Sequence, residues 1–313
     1  CFVNIFEPSN WETFFLGPKT LIFFDSKKST KPSTNGFSGP TITNSICSFL
    51  IKLYKSRKFS KFFKGNPNFE GSSESLGIHI TVFGLDKTNI CLISPKNSGI
   101  WYEPLTNFLR EKGEGIFGLN FSSDDIDSDY NNSKINDLKV SSRFNSSFQG
   151  NTNDTIDFNF FNIINESVIN LNISIGNEIN FLSRGKSITD GISKVNQLVI
   201  QTKFPEIIKN IFEEKLNIRL ALDKTFKEWA GRMLFFRLGG VTLEVIEGRD
   251  LKHNCGYFGI GWHTDNYNNC YKRLIEDGFG FSEIRKGRKK GTLVSTLKEP
   301  MLNIPTILIG LEE

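Results

Sequence analysis

The sequence predicts an α+β protein built from tandem paired βαβββ modules. A pattern of strand, amphipathic helix and further strands recurs along the chain. In its two sharpest copies the helices carry apolar residues in the same register, at i, i+3, i+4, i+7 and i+8: Phe204, Ile207, Ile208, Ile211 and Phe212 in one, Tyr267, Cys270, Tyr271, Leu274 and Ile275 in the other. The length of 313 residues agrees, because it exceeds what one hydrophobic core usually serves and asks for about two domains.

Residues 1–39 fit no copy, and KKSTKPSTNGFSGP has the composition of a linker. The chain starts at Cys1 rather than Met, which points to a processed, trimmed or fragmentary start. A lipid-anchored terminus also begins with Cys, but the aromatic CFVNIFEPSNWETFF does not read as a flexible tether. Residues 40–185 carry degenerate copies. TITNSICSFLIKLYKSRKFSKFF places Ile46, Phe49, Leu50, Leu53 and Tyr54 on one helix face, and LGIHITVFGLDKTNICLISP reads as a hairpin. GEGIFGLNFSSDDID then begins a strand and a helix. The polar stretch from Asp124 to Thr155 reads as a loop or a weak helix, and IDFNFFNIINESVINLNISI supplies the closing strands.

Residues 190–313 hold the sharp copies. VNQLVIQT alternates as a strand, Pro205 suits a first helical turn, and LNIRLALDKTF reads as a connection. MLFFRL, the turn Gly239-Gly240 and VTLEVIE form a hairpin. The next copy runs FGIGWHT as a strand, a helix closed by Asp277-Gly278, FSEIRKGRKKG as a strand entering a basic turn, and LVSTLKE and IPTILIG as strands.

Composition removes several function classes. Lys plus Arg (38) barely exceed Asp plus Glu (34), so the chain lacks the electrostatic footprint of a nucleic-acid binder. No apolar run approaches the ~20 residues of a membrane helix. Cys1, Cys47, Cys91, Cys255 and Cys270 form no CxxC and no ligand-spaced cluster, which excludes a zinc finger and fits a reducing cytoplasm. No G-x-G-x-x-G opens a helix, and no G-x-S-x-G elbow occurs.

FPEIIKNIFEEKLNIRLALDKTFKEWAGRMLFFRLGGVTLEVIE and YFGIGWHTDNYNNCYKRLIEDGFGFSEIRKGRKKGTLVSTLKEPMLNIPTILIG resemble the glyoxalase-like members of the vicinal oxygen chelate superfamily, over roughly residues 190–313. The R-x-G-R-K-x-G-T turn and the closing I-P-T-x-L-I strand carry the likeness. Upstream, NICLISPKNSGIWYEPLTNFLREKGEGIFGLNFSSDDID is similar, more loosely, to the segment between the two modules of methylmalonyl-CoA epimerase and its relatives. The resemblance implies the glyoxalase/bleomycin resistance/dioxygenase-like fold, in which each module pair curls into a cup. It also implies a divalent metal held by a His or Gln from each first strand and a Glu from each last strand.

Carried onto this chain, those positions fall on Gln197 and Glu244 in the third module. In the fourth they fall on Gly259 or Phe258 and near Leu308, none of which binds metal. In the N-terminal pair they fall on Cys91, on Phe117 or Gly118, and on Asn170, with no first-strand position identifiable in the first module. A three-histidine site would require His79, His253 and His263 to converge, which the module arrangement does not support.

The candidates carry alternative readings. Glu244 is a metal ligand and catalytic group, a hydrogen-bonded cup carboxylate, or an exposed strand residue. Arg237 grips an anionic substrate or pairs with Glu244 across its hairpin, and Trp262 is a candidate substrate contact. His263 is an acid–base group or a surface residue at a strand exit. Arg288 and Lys289 clamp an anion at the cup's mouth or form a solvated turn.

The expected function is a lyase-, isomerase- or dioxygenase-type reaction on a small, anionic or oxygen-rich metabolite in the C-terminal cup. The alternative is a metal-free binding protein of the same fold. The N-terminal pair could serve only as a cover. Nucleic acid and membrane are not expected partners, and assembly into a homodimer stays open.

Overall fold

The computed structural model describes residues 42–51, 57–86, 88–177, 190–226, 231–248, 251 and 253–312. The segment 1–39, and with it Cys1, lies outside them. The first unit comprises β1 (Ile42–Ile51), α1 (Arg57–Phe63), β2 (Phe69–Ser73), β3 (Ile78–Leu85) and β4 (Thr88–Pro95). Helix α2 (Tyr102–Lys112) leads to β5 (Gly115–Ser123), α3 (Ile126–Ile135), β6 (Phe144–Gly150), β7 (Thr155–Asn162) and β8 (Ile173–Asn177). The third unit is β9 (Lys194–Thr202), α4 (Pro205–Lys209) running into a π-helical turn (Asn210–Lys215), β10 (Arg219–Phe226), β11 (Gly231–Leu238) and β12 (Val241–Glu247). The fourth is β13 (Cys255–His263), α5 (Tyr267–Glu276), the two-residue β14 (Arg285–Lys286), β15 (Thr292–Thr296) and β16 (Thr306–Leu311).

The same pairing rule holds in both halves. Each unit's first strand lies parallel to its own last strand and antiparallel to the first strand of the sister unit: β1 beside β4 and β5, β9 beside β12 and β13. Parallel neighbours need a crossover, and the unit's helix provides it. The four βαβββ units predicted from the repeat are therefore present. Strands β1 to β8 close into a barrel, whereas β9 to β16 form an open eight-stranded sheet with β10 and β14 at its edges.

Two local expectations are corrected. ITNSICSFLI is strand β1, not a helix, and the helix starts only at Arg57. Ile46, Phe49 and Leu50 have helical spacing, but a strand hydrogen-bonded on both sides also tolerates a run of apolar residues without alternation. Leu53 and Tyr54 of that reading lie outside the described residues. LALDKTF is not a connection but part of edge strand β10, whose largely solvent-facing side chains mute the strand signal. The polar stretch resolves into α3, capped by the Asp125 carboxylate accepting from the Ser128 amide at 3.0 Å, followed by β6.

The outer faces of both sheets share one core with the helices. Leu198, Ile200, Leu243, Val245, Ile260 and Trp262 point there, together with Phe62 and Phe63 of α1. Arg273 on α5 joins the halves by donating to the carbonyls of Phe62 at 3.0 Å and Lys61 at 2.6 Å. The barrel's inner face is filled: Phe69, Phe148, Phe158 and Phe160 are buried there, and α2 lays Trp101 and Leu105 against them. On its far side the barrel closes through only two register pairs, Gly71 with Gly150 and Ser72 with Gln149. A Cβ on Gly71 would come within 2.3 Å of the Gln149 carbonyl oxygen, so this closure needs glycine. Among the described residues no helix is long and apolar enough to cross a membrane.

Candidate functional site

The inner face of the C-terminal sheet is where the sequence-predicted residues meet. Gln197 on β9 and Glu244 on β12 lie on neighbouring parallel strands, with Gln197 opposite Thr242 and Glu244 opposite Val199. This stagger lets Gln197 Nε2 donate to Glu244 Oε2 at 3.1 Å. Val199, Phe226, Met233 and Ile246 form an apolar patch on this face, joined by Leu222, Phe235 and Phe258. Glu244 is only 7% exposed. Burial pushes its carboxyl up to about 7, against the opposing pull of the Arg288 guanidinium.

The basic turn after β14 reaches this face. Its shape is fixed by the Gly287 amide donating to the Thr292 carbonyl at 2.7 Å, and by Thr292 Oγ1 donating to the Lys289 carbonyl at 2.5 Å. Arg288 is the cation that Glu244 feels, and partial burial lowers the guanidinium to about 10. The next residue, Lys289, acts instead on His263.

His263 belongs to the rim. Its Nε2 lies 3.4 Å from Asp265 Oδ1, and burial with the nearby Lys194 lowers its pKa, so the imidazole is neutral at neutral pH. Arg237 does not pair with Glu244 across the hairpin: Phe235 occupies the position opposite Glu244, and Arg237 donates to Thr242 Oγ1. Its other strand neighbour is Arg219, so two guanidinium side chains stand together at this edge of the cup. Trp262 points the other way, into the shared core, with its ring 5.8 Å from Phe62 and 5.2 Å from Phe63.

No family model matches the sequence, and no relative is found among curated proteins. Solved structures do match in shape. A triple mutant of 4-hydroxymandelate synthase from Streptomyces coelicolor superimposes with a TM-score of 0.62 at 12% identity, over 88% of this chain and 93% of that one. A hypothetical protein from Staphylococcus aureus gives 0.58 at 9% identity, over 85% and 98%. A xylose isomerase-like TIM barrel/4-hydroxyphenylpyruvate dioxygenase fusion protein gives 0.56 at 10% identity, over 90% and 51%. The chain has the vicinal oxygen chelate fold.

The vicinal oxygen chelate fold brings the expectation of a divalent metal, and the described residues do not make up its ligand set. Gln197 and Glu244 supply the third unit's half. Across the sheet, Gly261 pairs with Gln197, and a Cβ on it would meet the Gln197 side chain at 2.8 Å and those of Ile309 and Ile307 at 3.2 and 3.3 Å. The fourth unit therefore offers glycine and isoleucine here, while Leu308 faces the core. Among the described residues no group of three or more His, Cys, Asp or Glu side chains gathers. The N-terminal positions do not substitute: Cys91 and Phe117 are buried in the filled barrel, and Asn170 lies in a 3-10 turn ahead of β8. Sequence reasoning gave no site role to Phe235, Phe258 or Arg219. Phe235 was legible, since strand alternation puts it on the face of Arg237; Arg219 was not, because its strand reads as a connection and its pairing with Arg237 depends on register.

Proposed function

We propose that the C-terminal cup binds a small, oxygen-rich anion and that Glu244 exchanges a proton with it, as in an isomerase- or lyase-type reaction of the glyoxalase-like kind that proceeds without a metal. The observation that carries this reading is the buried Glu244 carboxyl, held at about 7 between the Gln197 amide and the Arg288 guanidinium. A carboxyl near 7 is present in both forms at neutral pH, which suits a group that removes a proton and returns it. As carboxylate it takes a proton from a carbon next to a carbonyl: the C–H bond breaks, the Glu244 O–H bond forms, and the electron pair moves onto the carbonyl oxygen. Arg288 is the countercharge for that enolate; in a 2-hydroxy carbonyl compound, Glu244 returning the proton to the neighbouring carbon while the hydroxyl proton passes to the former carbonyl oxygen completes an isomerisation. Arg219 and Arg237 at the edge add positive potential that favours an anionic substrate. Two structural neighbours, a 4-hydroxymandelate synthase and a fusion protein containing 4-hydroxyphenylpyruvate dioxygenase, are compatible with a small oxygenated acid as ligand.

The second reading, a binding protein that sequesters such a ligand, is favoured by the apolar and aromatic wall around Glu244. Proton NMR of 2-oxo and 2-hydroxy acids in deuterium oxide separates the two. The expected result is enzyme-dependent loss of the α-proton signal, with a pH inflection near 7, reduced by about 100-fold or more in Glu244→Gln. Exchange at the wild-type rate in that variant rejects Glu244 as the proton carrier, and binding without exchange establishes sequestration. Metal analysis of the tag-free protein adds a control: about one bound equivalent that disappears in Glu244→Ala would overturn the metal-free reading.

A further inference from the structure

A second concave site lies on the seam between the halves, beside the cup, with which it shares the Phe258 ring. It is a cavity of about 120 Å³, with Phe108, Lys112 and Asn170 on the N-terminal side and Gly256, Phe258 and Asn303 on the C-terminal side. That volume is the liquid share of about four waters, room for a compound of only a few heavy atoms. Seams between domains are preferred places for small-molecule sites.

The lining has a defined chemistry. Lys112 closes α2, and its ammonium stands 5.2 Å from the centre of the Phe108 ring. Among the described residues no carboxylate forms an ion pair with it; the residue is exposed, and desolvation at the seam lowers its pKa against the pull of Cys255 and Glu111. Amide groups flank it. Asn170 lines the N-terminal wall, and a Cβ on Gly113, just past the helix end, would sit 3.5 Å from Asn303 Nδ2. Asn303 and its neighbour Leu302 both hold left-handed backbone, with φ of 55° and 54°, a conformation that costs energy in residues other than glycine. Phe108 and Phe258 provide apolar walls. Tyr257 braces the seam by donating its hydroxyl to the Leu171 carbonyl at 2.7 Å. Gly256 completes the opening: a Cβ placed on it meets no atom within 4 Å.

We propose that this seam is a binding site for a small carboxylate with a short apolar end: the carboxylate sits on Lys112 with the Asn170 and Asn303 amides beside it, and the apolar end lies between Phe108 and Phe258. The site does not rest on the reading given for Glu244: it shares the Phe258 wall with the cup but none of Gln197, Glu244 and Arg288.

The test uses the full chain and propionate as the probe, followed by saturation-transfer NMR and titration calorimetry, with inorganic phosphate as the comparison ion. Propionate is expected to bind and phosphate to bind at least about tenfold more weakly, since phosphate has no apolar end. Lys112→Met should weaken propionate by about tenfold or more, while Lys96→Met, which removes a cation away from both sites, leaves it unchanged. Gly256→Val guards against a folding artefact. Its side chain projects into open space on a strand, so the melting temperature should stay within about 2 °C while the filled seam loses the probe. Propionate binding that survives both Lys112→Met and Gly256→Val, or that is lost with Lys96→Met, overturns the proposal, and loss with Arg288→Met alone assigns the probe to the cup instead. Phosphate binding as tightly as propionate overturns its carboxylate specificity.

Discussion

The two halves share a strand plan and differ in what they put inside it. The N-terminal strands close into a barrel whose inner face is packed with Phe69, Phe148, Phe158 and Phe160. The C-terminal strands stay open, and their inner face keeps Gln197, Glu244 and two arginines at its edge. A duplicated topology therefore does not imply a duplicated site. Where the barrel closes, its interior becomes core and the inward positions turn aromatic. Where the sheet stays open, a carboxyl can persist on the same face, at the cost of being pushed toward its neutral form.

The comparison is broken most strongly at Phe158, whose ring stacks on Phe160 at 4.8 Å and is fully buried. Phe158→Ala should cost about 3–5 kcal/mol in urea unfolding, whereas Gln197→Ala in the other half should cost about 1 kcal/mol or less. Equal losses would show that both inner faces are structural core.

Glu244 gives the next largest effect, and its sign is determined by the raised pKa. The folded protein holds the Glu244 proton between the ordinary 4.5 and about 7, while the unfolded chain releases it. This contribution is complete below about 4.5 and is lost as pH rises through about 7, by about 3 kcal/mol. Denaturant titrations at pH 5 and pH 8 should therefore differ in the wild type, and the difference should shrink in Glu244→Gln.

Arg273 holds the halves together from a side chain that is 13% exposed. Its donations to Lys61, Phe62 and Asp190 lead us to expect a loss of about 2–3 kcal/mol in Arg273→Met, leaving backbone carbonyls without their charged donor. The smallest effect belongs to the Lys64–Asp190 pair across the same junction. Lys64 is 45% exposed, and Lys64→Ala should change the melting curve by no more than about 1 kcal/mol, less at high salt.

The sharp C-terminal repeat was readable because its helices and strands each bury one face. Ile208, Ile211 and Phe212 are buried as their spacing requires, and the alternation of Leu243, Glu244 and Val245 put the carboxylate on the correct side of the sheet. Strand β1 was misread because Ile46, Phe49 and Leu50 satisfy a helix pattern and only the flanking strands decide between the two. Closure of the barrel was not legible, since it depends on contacts between Gly71 and Gly150, far apart in sequence. The site was half legible. Gln197 and Glu244 followed from the resemblance, but the proximity of Arg288 to Glu244 depends on how a turn folds over the sheet, and Trp262 falls in the core because β13 turns it outward.

The glycine closure of the barrel also bears on its motion. A cylinder held along one line by Gly71 with Gly150, Ser72 with Gln149, the Asn151 amide on the Glu70 carbonyl and the Ser73 and Ser75 hydroxyls on Ser146 has a clasp, and the rest of its staves are joined by longer ladders. Local opening is cheapest where the fewest bonds must part, so amide exchange should begin along this line. The aromatic interior would then meet water first beside Phe69 and Phe148, and the barrel would come apart from its clasp while the ladder between β1 and β5 still held.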